Sequence, residues 1–175
     1  MRENIVLIGF MGTGKSTVGR ELANELGWSF LDTDVEIETI NQRSISEIFA
    51  AQGEKGFRSE ERHFVHSLAD RKNCVISTGG GTILDEENRK NLTQIGFIIA
   101  LKASLDRVLE RVGAQGGRPL LEKPHDEIEE LWKSRQPAYE QADYIVDTEG
   151  RSIEEVKAEI ICWLRRQGGA ENENN

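Results

Sequence analysis

Gly9-Phe10-Met11-Gly12-Thr13-Gly14-Lys15-Ser16-Thr17 fits the pattern G-x-x-x-x-G-K-[ST], with Gly9, Gly14, Lys15 and Ser16 in the defining places. Ahead of it, Ile5-Val6-Leu7-Ile8 is a short apolar run that reads as the end of a buried strand over Asn4–Ile8. Behind it, Val18, Leu22, Ala23 and Leu26 recur at helical spacing. A strand that turns through glycines into a helix is the context this motif requires. The glycines let successive backbone N–H groups face inward as an anion nest, and the helix N-terminus adds donors and a partial positive charge. Gly12, Thr13, Gly14, Lys15, Ser16 and Thr17 are therefore the candidate nucleotide-binding set. Lys15 reaches for the β- and γ-phosphates, and the Ser16 hydroxyl is a Mg²⁺ ligand.

Working outward, four more apolar runs follow: Trp28–Leu31, Cys74–Ser77, Phe97–Leu101 and Tyr144–Val146. They alternate with helical patterns, which predicts parallel strands joined by helical crossovers, a three-layer α/β/α domain with both sheet faces covered. A chain of 175 residues suits one such domain. No repeat or linker interrupts it, and the tail Gly168–Asn175 is expected to be disordered. The net charge of −9 argues against a nucleic-acid or anionic-membrane surface, so a bound anion needs a local cluster of basic residues. Cys74 and Cys162 have no metal-like spacing and read as buried reduced thiols. No run reaches membrane-spanning length and no targeting segment is evident, so the expected location is the cytoplasm.

The second strand ends in Leu31-Asp32-Thr33-Asp34, which sets two acids at the carboxyl end of a parallel strand, where such sheets bind ligands. One acid suits Mg²⁺, directly or through water, and the other suits a substrate proton. The plainer alternative is that Asp34 caps a helix over Val35–Ile40. Two further helices, Ile45–Ala51 and Phe57–Leu68, are broken near Gly53 and Gly56. Arg58 and Glu61 stand at i,i+3 in the second, as a surface ion pair or as an acid that orients a guanidinium towards a ligand. His63 and His66 read as solvated or packing residues.

After the third strand come Gly79, Gly80 and Gly81, which permit close approach of backbone to a small ligand. Many P-loop proteins carry an Asp at the end of this strand to help hold Mg²⁺. Ser77 stands there instead, and Asp32 is the substitute. A helix over Ser104–Val112 leads into the glycine-rich stretch Gly113–Pro119, tipped by Arg118, which reads as a lid able to close on phosphates. From Asp126 a helix runs to Arg135, followed by Pro137 and Tyr139. Ile153, Val156, Ile160, Trp163 and Leu164 mark an amphipathic C-terminal helix.

Taken with Phe57-Arg-Ser-Glu-Glu, Ser77-Thr-Gly-Gly-Gly, Arg118-Pro-Leu-Leu and Arg135-Gln-Pro-Ala-Tyr, the P-loop and Leu31-Asp-Thr-Asp give a chain that resembles the shikimate kinases from Asn4 to about Arg166. The resemblance implies a nucleoside-monophosphate-kinase-like P-loop fold with strand order 2-3-1-4-5 and a lid over about residues 112–123. It implies phosphoryl transfer from Mg·ATP to the 3-hydroxyl of shikimate, in the route to aromatic amino acids, by a monomer. Lys15, Asp34 and Arg118 would then be catalytic, with Asp34 on the shikimate hydroxyls as base and Arg118 on the phosphates. Arg58 and Arg135 would bind the substrate carboxylate, and the Gly79–Gly81 backbone its ring hydroxyls. Arg111 would stack on adenine, Ser16 and Asp32 would serve the metal, and Asp147–Ser152 would correspond to the adenine loop, without the proline often found there.

Three other readings compete. A gluconate kinase shares the small-acid acceptor, though Asp-Thr-Asp with the triple glycine favours shikimate. A nucleoside monophosphate kinase would need a base pocket and more phosphate-binding arginines. A catalytically dead nucleotide-binding module would be signalled by loss of Lys15, Asp34 or Arg118, all of which are present.

Overall fold

The computed structural model describes residues 2–115 and 124–170. Five strands alternate with helices: β1 Asn4–Ile8, α1 Lys15–Leu26, β2 Ser29–Asp32, α2 Thr33–Asn41, α3 Ile45–Ser67, β3 Cys74–Ser77, α4 Glu86–Ile95, β4 Gly96–Lys102, α5 Leu105–Gln115, α6 His125–Tyr139, β5 Tyr144–Asp147 and α7 Ile153–Ala170. All pairings are parallel and the sheet order is β2-β3-β1-β4-β5, as expected for this fold class.

The period-2 alternation of strands sorts the core into two clusters. Val6 and Ile8 of β1, Cys74 and Ile76 of β3, and Ile98 and Ala100 of β4 face one side, with Ile37, Ile48, Phe64, Leu92 and Ile128 from the helices. Ile5 and Leu7, Val75, and Ile99 and Leu101 face the other, against Val18 and Leu22 of α1 and Val156 and Ile160 of α7. Because the central strands are buried on both faces, they read as continuous apolar runs. Each fully buried Val, Leu, Ile or Phe among them contributes roughly 1.5–3 kcal/mol against exposure. The carboxyl ends of β1, β2 and β3 thereby open on one edge, at the head of α1.

Several boundaries depart from the sequence reading, each for a local reason. Asp32, not Asp34, caps α2. Its backbone is extended and its carboxylate accepts from the Asp34 N–H at 3.2 Å, so the helix starts at Thr33. The two helices expected between Ile45 and Leu68 form one element kinked at Gly53, whose φ of 68° and ψ of −178° break the helical run. Helix α6 continues through Pro137 to Tyr139, because the proline falls in its last turn. The backbone of α5 runs on to Gln115 and that of α7 to Ala170, beyond the ends set by glycines at 113 and 168. Cys74 is buried as expected, but Cys162 is exposed on α7. Among the described residues, no helix is long and apolar enough to cross a membrane.

Candidate active site

Four segments meet above the sheet edge. The P-loop supplies the first. Gly14, with φ of 93°, sits in the left-handed region at the N-cap of α1, a conformation that strains any residue with a Cβ. Lys15 follows and is only 8% exposed. Its ammonium donates to the carbonyls of Gly9 and Phe10 at 2.9 and 3.0 Å, which holds the charge at the loop. Thr13 is buried and its hydroxyl donates to Phe10 O at 2.8 Å.

Ser16 faces the end of β2. Its hydroxyl donates to Asp32 Oδ2 at 2.6 Å and lies 3.3 Å from Ser77 Oγ. The other oxygen of Asp32 caps α2. One carboxylate therefore fixes both the Ser16 hydroxyl and the start of the helix that carries Asp34. Two hydroxyls and a carboxylate are hard oxygen donors, the kind Mg²⁺ takes. Among the described residues there is no group of three or more acidic, histidine or cysteine side chains that could hold a metal ion.

Asp34 is partly buried, and its carboxyl is pushed up from 3.8 to about 6. Burial is the largest cause and the Asp32 charge the second. Glu61 and Glu38 act in the same direction, and Lys15 partly opposes them. The site thus holds an acid poised near neutrality, a property of catalytic bases.

Three consecutive glycines organise the acceptor side. A Cβ on Gly79 would lie 2.6 Å from Asp34 Oδ1, one on Gly80 3.0 Å from Arg135 Nη1, and one on Gly81 2.6 Å from Arg58 Nη2. The expectation was that these glycines make room for a ligand. They also make room for three functional side chains from α2, α6 and α3, one per glycine. The loop is tied down by Thr33, whose Oγ1 accepts from the Gly79 N–H at 3.1 Å, and by Tyr139, whose hydroxyl donates to Gly80 O at 2.7 Å. Burial pushes the Tyr139 phenol up to about 12, with Arg135 partly opposing, so the hydroxyl keeps its proton and remains a donor.

Arg58 and Glu61 pair at 2.9 Å, and the acid is 1% exposed. Of the two sequence readings, a surface pair is excluded: a buried acid orients this guanidinium. Arg135 lies over the Phe10 ring, with 5.5 Å from Cζ to the centroid, and its Nε is buried without a partner among the described residues. His63 and His66 are exposed, as read.

On the nucleotide side, Arg111 of α5 donates to Gly12 O at 3.4 Å and to Thr148 O at 3.3 Å. It thereby joins the P-loop to the loop after β5. Arg151 in that loop bonds Asp147 O and pairs with Glu159. Arg118 and residues 116–123 lie outside the described residues, as does the tail 171–175.

Sequence reasoning gave no role to Thr33, Thr82 or Tyr139. Tyr139 stands four residues after Arg135 and shares its helix face, which is the one signal that pointed to it.

Comparisons with known proteins point to one family. The family model described as shikimate kinase matches residues 11–165. A shikimate kinase of Thermodesulfovibrio yellowstonii is 47% identical over 166 residues, 94% of this chain and 96% of the relative. A solved structure of a shikimate kinase from Acinetobacter baumannii, in complex with shikimate, superposes with a TM-score of 0.89 at 36% identity, covering 95% of each chain. A gluconokinase from Sinorhizobium meliloti covers 100% of both chains at a TM-score of 0.62, but its 17% identity amounts to a shared fold alone.

Proposed function

From the premise that this chain belongs to the shikimate kinase family, and so transfers the γ-phosphoryl of ATP to the 3-hydroxyl of shikimate, we propose a division of labour among its residues. The single observation that carries it is the triple glycine, with Asp34, Arg135 and Arg58 each against one residue of it. One face of a small molecule can there meet a base at one end and two guanidinium groups at the other.

The nucleotide phosphates lie in the nest of Gly12, Thr13, Gly14, Lys15, Ser16 and Thr17, with adenine against Arg111. Mg²⁺ would supply charge neutralisation for the transferring group when bound. Ser16 would hold it, with Asp32 serving it directly or through water, and Asp32 orients the Ser16 hydroxyl. Asp34 accepts the proton of the shikimate 3-hydroxyl, while Lys15 and Arg118 offset the charge of the transferring group. For Arg118 and a lid over about 112–123 the support is the Arg-Pro-Leu-Leu stretch and the family resemblance. For a monomeric state it is the resemblance alone, and a cytoplasmic location fits a metabolic kinase of this family. Arg58 and Arg135 take the carboxylate, and the Gly79–Gly81 backbone the ring hydroxyls.

The carboxylate reading is tested by alanine at either arginine. A planar guanidinium meets a carboxylate through two parallel bonds. Loss of one charge-assisted contact is expected to cost about 1.5–3 kcal/mol, or roughly ten- to a hundredfold in kcat/KM for shikimate. KM for ATP should stay put. A shikimate analogue without its carboxylate is the control. Equal losses towards the analogue and towards shikimate would show that neither arginine reads the carboxylate.

The metal assignment is tested by Asp32→Asn. Asparagine caps a helix as well as aspartate, so α2 should survive the change. Weaker orientation of Ser16 should lower Mg²⁺ affinity about 10–100-fold. Activity should then recover as Mg²⁺ is raised, whereas Asp34→Asn should not respond. Equal rescue of both variants, or of neither, would overturn the separation of the two acids.

A further inference from the structure

The carboxylate of Glu61 divides its two oxygens between two partners. Oε2 accepts from Arg58 Nη1 at 2.9 Å, and Oε1 accepts from Thr82 Oγ1 at 2.7 Å. Thr82 is fully buried and comes directly after the triple glycine. Its own backbone is fixed at both ends. The N–H donates to Gly79 O at 3.2 Å, and the carbonyl accepts from Asn88 Nδ2 of α4 at 3.3 Å. The donor that Glu61 relies on is therefore held in place by the turn that forms the acceptor loop.

A buried carboxylate with an unsatisfied oxygen is costly, so it rotates towards another donor. That rotation moves the oxygen that holds Arg58. The other acid near this guanidinium is Glu54, 3.6 Å away with a side chain 72% exposed. A pair of that kind is weak, and so exposed a side chain does not fix the guanidinium. Glu61 thus sets the place of Arg58 only while Thr82 sets the place of Glu61.

We propose that Thr82 is a positioning residue for the acceptor, holding Glu61 so that Arg58 is presented beside Gly81 to the shikimate carboxylate. The proposal rests on the reading of Arg58 as a carboxylate ligand. It gives one turn two tasks, since Gly79–Gly81 and Thr82 belong to the same short segment. The substrate-facing backbone and the anchoring arginine are then kept in register by a single hydroxyl.

The test compares Thr82→Val, which keeps the shape and removes the hydroxyl, with Thr82→Ser, which keeps the hydroxyl. The valine enzyme should show KM for shikimate raised about tenfold, the size of one lost bond to a charged group. KM for ATP should change less than about twofold, because the nucleotide side is untouched. Serine should restore KM for shikimate. In an Arg58→Ala background, Thr82→Val should add nothing, since the two act on one interaction. Should the valine enzyme fail to fold, Thr82→Ala assayed in the cold is read in the same way.

A valine enzyme with a lowered melting temperature and an unchanged KM for shikimate would overturn the proposal and leave Thr82 a purely structural residue. So would a serine enzyme no better than valine, or full multiplication of the Thr82 and Arg58 effects. An Arg58→Ala enzyme with normal KM for shikimate would instead remove the carboxylate reading on which the proposal rests. That failure is visible before Thr82 is altered.

Discussion

Lys15→Met is expected to cut turnover at least about a thousandfold while the protein still folds. The upper end of the usual range for one preorganised donor, about 10²–10³, applies because this donor carries a full charge at a site that transfers a multiply charged group. Methionine keeps an unbranched side chain of similar length in a position only 8% exposed. What it removes is the ammonium that bonds Gly9 O and Phe10 O. Those two carbonyls lose a donor, at a cost of about 1–3 kcal/mol, or roughly 2–12 °C in melting temperature for a chain of this size. Turnover is read from ADP release with shikimate as acceptor, and folding from a thermal melt. Near-normal turnover would take the P-loop out of the mechanism. A second consequence has a fixed sign: Lys15 is the cation that opposes the rise of the Asp34 carboxyl. Residual activity in the methionine enzyme should therefore fall off at a higher pH than in the parent.

How much of this site was legible in the sequence follows from how local each signal is. The P-loop is contiguous, and its flanks announce a strand and a helix, so its geometry is legible in the sequence alone. The three central strands were equally open to reading, because burial on both faces turns them into plain apolar runs, while the edge strands β2 and β5 are only partly buried. Boundaries were less so. The cap of α2 depends on which of two aspartates, two residues apart, has extended backbone, and spacing alone cannot decide that. Pro137 appeared to end a helix that in fact closes two residues later, since a last-turn proline forfeits a single bond.

The acceptor side was legible as types and not as contacts. Asp34, Arg58 and Arg135 were named from their motifs, yet nothing in the sequence brings α2, α3 and α6 to three adjacent glycines. That convergence is produced by the crossovers of the parallel sheet. Glu61 is an ordinary i,i+3 partner on paper, and only the packing of α3 against the turn at Thr82–Leu84 makes it a buried one. The Tyr139 bond to Gly80 spans 59 positions, and the sequence shows only that Tyr139 shares a helix face with Arg135. The exposed Cys162 has the same cause: an apolar pattern gives the face of a helix, and a residue at its margin can fall on either side.

Asp34→Asn is expected to abolish most turnover and yet to raise the melting temperature. Loss of a general base costs about 10²–10⁴ in rate, and added Mg²⁺ offers no substitute for the missing proton acceptor. Stability goes the other way because the carboxylate is held under strain. Burial first, then the charge of Asp32, push its carboxyl from 3.8, its ordinary value, to about 6. Between those two values the folded protein binds more protons than the unfolded chain, so stability falls as pH rises through this window. Above about 6 the whole penalty applies, at most about 3 kcal/mol for a displacement of this size. Asparagine carries no charge and escapes it. In buffer free of metal and nucleotide, the variant should melt about 5–10 °C above the parent at pH 8, and the gap should close as pH falls towards 4. The same titration predicts that kcat/KM of the parent declines below about pH 6, where Asp34 takes up its proton. A variant that melts lower than the parent at pH 8, or a gap that stays constant down to pH 4, would mean that Asp34 is not the strained acid of this site. The candidate base would then have to work from an unperturbed carboxylate, although Asp32 and Glu61 both press on it from within the fold.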